Sequence, residues 1–191
     1  KKFSYARYTP MLYYKGKLDQ LEEQAQKNMG KFMKILLIKR LESSFYAFKN
    51  TLHRFISSYE QFLSEFENGN VYVSKKYTYK LFEFLENDND EAIQRLIDED
   101  KAQRYASKAF RPEFKERLEN DLKTLKEVSK LWDNIKRDPK LLKFIDVLSS
   151  RTILKDNKII IFTESKETAE YVGRNLQNKF PDEVLTFWGG S

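Results

Sequence analysis

The residues best placed to do chemistry lie in the stretch KIIIFTESKETAEYVGRNL, Lys158 to Leu176. An apolar run ends in Phe-Thr-Glu-Ser and passes at once into a helical pattern. The turn therefore sets Thr163, Ser165 and Lys166 at the exit of a strand. Open α/β sheets bind ligands there, outside the carboxyl ends of their strands. The plainer reading is that the hydroxyls only cap the helix, with Ser165 at the cap and Glu167 in the first turn. A phosphate cradle would need GxxxxGK[ST] or GxGxxG, and neither pattern occurs. The turn TESKET has no glycine through which backbone could approach a pyrophosphate.

Other candidates read more simply as structure. Asp90-Glu91-Ala92 copies the acidic Mg²⁺-holding box of helicases, but it follows ENDN rather than an apolar strand and opens an amphipathic pattern. Acidic residues are ordinary in a first helical turn. Gly173-Arg174 falls inside a helix, a poor place for an arginine finger. His53, the single histidine, lies one position past an apolar seam and reads as a flank or a satisfied core residue. Lys39-Arg40 and Lys75-Lys76 read as solvated pairs that could touch phosphate. No two carboxylates are spaced for glycosidase or protease chemistry.

Long helices must carry these groups. The whole length holds only 6 Gly and 4 Pro, so little interrupts the Lys, Glu and Leu that favour helix. Ile38, Leu41, Phe45, Phe48, Leu52, Phe55, Tyr59, Phe62 and Phe66 alternate spacings of three and four, a coiled-coil-like heptad seam. It predicts one helix of about 35 residues or more, ended by Gly69, that needs an antiparallel partner. The mate is the helix striped by Phe114, Leu118, Leu122, Leu125, Val128, Trp132 and Ile135, with Pro112 in its first turn. Before the seam come an aromatic, basic, extended arm over the first 17 residues and a short helix from Leu18 to about Asn28. Val71–Val73 reads as a short strand, the stretch from Tyr79 to Asp100 as interrupted helix, and Asp100 to Phe110 as loop. Asp138 caps, and Pro139 opens, a short helix through LLKFIDVLSS. KIIIF, the helix after it and VLTF then make one right-handed βαβ unit.

The fold class expected is predominantly α with a small α/β part: a long antiparallel helical hairpin or bundle plus a truncated RecA-like βαβ unit. Residues 1–30 form an N-terminal arm, 31–137 a helical connector, and 138–191 the start of an α/β lobe. The net charge of +6 suits a polyanionic partner only weakly, because both signs are mixed along the chain. Without Cys there are no disulfides and no Cys-based zinc sites. No run approaches the length of a membrane span and no signal peptide is visible, so a cytoplasmic location is expected. Lys1 in place of Met suggests a piece of a longer protein. An open edge on so short a sheet is expected to favour self-association.

ILLIKRLESSFYAFKNTL, RPEFKERLENDL, DPKLLKFIDVL and KIIIFTESKETAEYV together resemble bacterial Snf-type helicases, DEAD/DEAH-like proteins of superfamily two. The KRLESS box is quite specific. FTES with TAEYV is similar to the opening of the second RecA-like lobe, and WGGS to the stretch after that lobe's second strand. The resemblance implies an ATP-dependent DNA helicase or translocase, with this chain spanning the region between the lobes and the start of the second. ATP and Mg²⁺ belong to the whole motor. The phosphate loop, acidic box and QxxGRxxR motif are not in this chain, so no cofactor, metal or catalytic residue is assigned to it. The resemblance places Thr163, Ser165, Lys166, Gly190 and Ser191 near a nucleic-acid backbone, duplex DNA rather than RNA. The alternative is a helical-hairpin module that docks a partner protein without motor function.

Overall fold

A computed structural model describes residues 3–73, 103–135, 137–150, 157–163 and 165–188. Lys75-Lys76, the helix expected from Tyr79 to Asp100 with its Asp90-Glu91-Ala92 box, Gly190 and Ser191 lie outside the described residues.

The expected long helix is two helices. Helix α1 runs over Gln20–Ser43 and absorbs the short helix expected from Leu18; α2 runs over Phe45–Glu67. Asp19 caps α1 by accepting from the Glu22 N–H at 2.7 Å, with Glu22 and Glu23 in its first turn. The break is Ser44, whose backbone is extended at φ −158° and ψ 155°. Its N–H still donates to the Arg40 carbonyl, while its Oγ accepts from the Ala47 N–H at 3.0 Å and caps α2. A serine that satisfies a helix start with its own side chain makes a one-residue interruption cheap.

The break changes which face is buried. In α1 the buried stripe is Met29, Met33, Leu36 and Arg40, and the seam residues Ile38 and Leu41 are 46% and 36% exposed. In α2 the seam holds: Phe48, Leu52, Phe55, Tyr59 and Phe62 are buried. At the far end of α2, Gly69 takes φ 87°, a left-handed turn that glycine adopts without strain, and its N–H closes on the Phe66 carbonyl.

The partner of α2 is α3, Glu113–Asp133, as the apolar stripe requires, and the pair is antiparallel. Phe62 and Phe66 meet Phe114 at the start of α3, whereas Phe45 and Phe48 meet Trp132 at its end. Three exposed ion pairs, Lys115–Glu67, Lys126–Glu60 and Lys49–Asp133, run along the seam in the same sense. They add little energy beside the aromatic burial.

The N-terminal arm is not extended. It folds into two 3₁₀ turns, Ala6–Tyr8 and Pro10–Tyr13, that bury Ala6 and Met11. Tyr8 packs on Phe55 and Tyr13 stacks on Phe114, and an antiparallel bridge between Tyr14 and Phe110 ties down the arm's end. Strands β1, Asn70–Val73, and β2, Gln103–Ala106, form an antiparallel ribbon with Val71 opposite Tyr105. QRYA has no apolar alternation to betray a strand; pairing with NVYV supplies it.

Helix α4, Pro139–Ser150, starts as expected, with Asp138 accepting from the Leu141 N–H at 3.1 Å. Helix α5, Lys166–Lys179, starts at the expected Ser165 cap. Among the described residues, KIIIF and VLTF are paired in no strand ladder. Ile160 and Phe162 are 79% and 90% exposed. A strand exists through its neighbour's hydrogen bonds, and these two segments have no ladder neighbour among the described residues. No described helix is long and apolar enough to cross a membrane.

Candidate functional site

The expected site residues on the FTES turn come together at the start of α5. Thr163 Oγ1 accepts from the Ser165 N–H at 3.1 Å and donates to the Ser165 carbonyl at 3.1 Å, which closes the turn on itself. Ser165 Oγ accepts from the Thr168 N–H at 3.4 Å and from the Arg40 guanidinium at 3.0 Å. Lys166 is exposed, and its ammonium lies 5.6 Å from the centre of the Trp188 ring. Thr163 and Lys166 thus face outward on the turn, whereas the Ser165 hydroxyl is buried and bound to Arg40.

That guanidinium comes from the KRLESS box. Lys39 is exposed as expected, but Arg40 is only 4% exposed, so the pair is not a solvated one. Arg40 falls on the Met29, Met33, Leu36 stripe, and a charge in that register was the available signal of a buried polar contact. Around it, Thr168 Oγ1 shares hydrogen bonds with Ser43 Oγ at 2.7 Å and Ser44 Oγ at 3.0 Å. Further along α2, Arg54 donates to both Glu167 carboxylate oxygens, at 2.7 and 3.3 Å, and Asn50 donates to the nearer at 3.2 Å.

A second layer extends the contact. Tyr46 and Tyr171 stack with centres 5.2 Å apart and planes 3° from parallel, and Arg174 lies over the Tyr46 ring at 5.3 Å. Hydrogen bonds from Asn50 and Arg174 hold the Tyr46 phenol below its ordinary range. Burial, with the nearby Asp138 charge, pushes Tyr171 up to about 12; its hydroxyl donates to Asp138 Oδ2 at 3.2 Å. Lys140 donates to the Glu42 and Ser43 carbonyls and ties α4 to the same corner.

Arg174 is therefore a packing cation on Tyr46. The neighbouring Gly173 has a different task. A Cβ there would lie 2.3 Å from Thr186 Oγ1 and 3.0 Å from its Cγ2, so only glycine lets residues 184–188 lie so close on α5. Gln177 reaches the Val184 carbonyl and Lys166 reaches Trp188, so this segment runs antiparallel to α5. Gly173→Ala is expected to cost about 1–3 kcal/mol by overpacking. Amide exchange over 184–188 should quicken, and Thr186→Ala in the same chain should restore it. Unchanged exchange in Gly173→Ala would refute the close approach.

Ser165 Oγ accepts hydrogen bonds from an amide and a guanidinium, groups that draw charge from an oxygen instead of activating it as a nucleophile. His53 is exposed on α2, as a flanking residue would be. Among the described residues, no three His, Asp or Glu side chains are grouped to hold a metal ion. No family model, curated protein or solved structure matches the chain.

Proposed function

We propose that this chain is the helical connector and the opening strand-helix-strand segment of the second RecA-like lobe of an ATP-dependent DNA translocase of the Snf type, acting in the cytoplasm. One observation carries the reading. The two stretches most similar to that family, KRLESS and FTESKET, lie far apart in sequence and meet through Arg40–Ser165, Ser43–Thr168 and Ser44–Thr168. A connector that must hold the second lobe needs contacts at such a place. In this reading Thr163 and Lys166 face the DNA backbone, and Ser165 serves the joint. ATP and Mg²⁺ are held elsewhere in the larger motor.

Two measurements on the 191-residue chain test the reading. Steady-state ATP turnover with saturating duplex DNA should stay below about 0.01 per second, since phosphoryl transfer needs a phosphate loop and a held Mg²⁺. Fluorescence anisotropy with a labelled duplex should show weak, salt-dependent binding. Lys166→Ala should lower the slope of log affinity against log salt by about one, the signature of one phosphate contact. Turnover above that limit, or DNA affinity indifferent to both salt and Lys166, would sink the proposal.

The exposed apolar side chains Leu131, Ile135 and Leu142, around the α3–α4 junction, favour a second reading, a helical module that docks a protein partner. In that case the anisotropy titration shows no DNA binding.

A further inference from the structure

The described chain has one contiguous apolar core, and it stops at the hairpin. That core joins the arm, α1, α2, the ribbon and α3, and among the described residues no apolar side chain after Trp132 packs into it. Leu141 and Leu176 are buried outside it, in α4 and α5. What joins α5 to the hairpin is of another kind. Its buried polar members are Arg40, Ser44, Ser165 and Thr168, none more than 6% exposed. The Arg54–Glu167 pair at its rim is 38% and 21% exposed, open to dissolved ions.

We infer that this contact is a reversible polar joint, with Arg40–Ser165 and Arg54–Glu167 as its latch, so that α5 with residues 184–188 opens from the hairpin as a unit while the hairpin stays folded. Apolar cores separate only by exposing hydrocarbon to water, at a cost proportional to area. Hydrogen bonds between polar groups exchange for hydrogen bonds to water, and each contributes only a small net stability. A contact whose buried links are hydroxyls and a guanidinium, with an ion pair at the rim and one aromatic stack beside them, therefore opens at lower cost than the hairpin unfolds. Contacts between domains resemble transient interfaces for the same reason. The Tyr46–Tyr171 stack gives the closed state a defined geometry. The inference does not depend on the motor reading, because a docking module would have the same joint.

The chain lacks Cys, so two introduced thiols take spin labels at known places only. Ser57→Cys on α2 and Asn178→Cys on α5 are both exposed positions. Pulsed dipolar spectroscopy should give one narrow distance at low salt. At about 1 M salt, where the screening length falls to about 3 Å, a longer population should appear. Glu167→Gln should enlarge that population by roughly ten- to a hundredfold, as expected for losing a charge-assisted bond. The swap Arg54→Glu with Glu167→Arg should reverse it.

Amide exchange on the unmutated chain decides the matter even if a variant fails to fold. Tyr171–Leu176 should exchange faster than Leu52–Tyr59, and salt should widen the difference. A single distance at every salt concentration, with the two helices exchanging in step, would show a permanent interface and overturn the inference.

Discussion

Asp121→Ala is expected to destabilise the chain by about 3–5 kcal/mol and to free the N-terminal arm, the scale seen when one partner of a buried charged network is removed. Asp121 is fully buried on α3, and its carboxylate holds three parts of the chain together. It accepts from the Ser4 N–H at 2.8 Å, the Ser4 hydroxyl at 2.9 and 3.0 Å, the Ala6 N–H at 2.9 Å and the Tyr59 hydroxyl at 3.0 Å. Alanine removes every acceptor and leaves these donors unsatisfied, each at its own desolvation cost. Burial, and then the Asp121 charge, hold the Tyr59 phenol well above its ordinary value, so it stays a donor. Asp121→Asn should recover only part of the loss, because its amide group sets donors against donors. Urea denaturation gives the size of the effect, and amide exchange at Tyr8 and Tyr14 gives its place. A loss below about 1 kcal/mol with the arm still protected would mean the carboxylate is not what holds it.

Much of this architecture was legible in residue spacing, and what escaped has specific causes. The α2–α3 pairing, the Asp138 and Ser165 caps and the turn at Gly69 follow from local periodicity and capping chemistry, which short windows carry. Ser44 was missed because spacings of three and four run unbroken through it, from Leu41 to Phe45 to Phe48. Heptad spacing records which side chains are apolar, and not whether the backbone between them is continuous. The arm was misread because its fold depends on Asp121, distant in sequence, and β2 because QRYA gains its pairing only from NVYV. At the candidate site, that Thr163, Ser165 and Lys166 share one turn is legible from their place after an apolar run. The partners of Ser165, Glu167 and Thr168 lie on α1 and α2, and only tertiary packing joins them.

The broken seam leads to a sharp contrast between two residues that spacing alone makes equivalent. Phe55→Ala is expected to cost about 3–5 kcal/mol, the usual range for emptying a buried aromatic site. Phe55 is 5% exposed, and the ring of Tyr8 lies 5.1 Å from its own, so truncation strips the arm's contact as well as the α2 core. Ile38→Ala, one break upstream, is expected to cost less than about 1 kcal/mol, because Ile38 is already 46% exposed and alanine is the better helix former. An unbroken helix of about 35 residues, its seam packed from end to end, would make both substitutions expensive. Thermal and urea unfolding of the two variants, with helicity followed by circular dichroism, separates the cases. Equal losses of about 3 kcal/mol would mean that the seam continues through Ser44 and that Arg40 is turned away from Ser165. A small loss at Phe55 would mean that the arm and α2 do not pack at all. The expected pattern, large at Phe55 and slight at Ile38, places the bend at Ser44 and keeps Arg40 on the buried stripe that reaches α5.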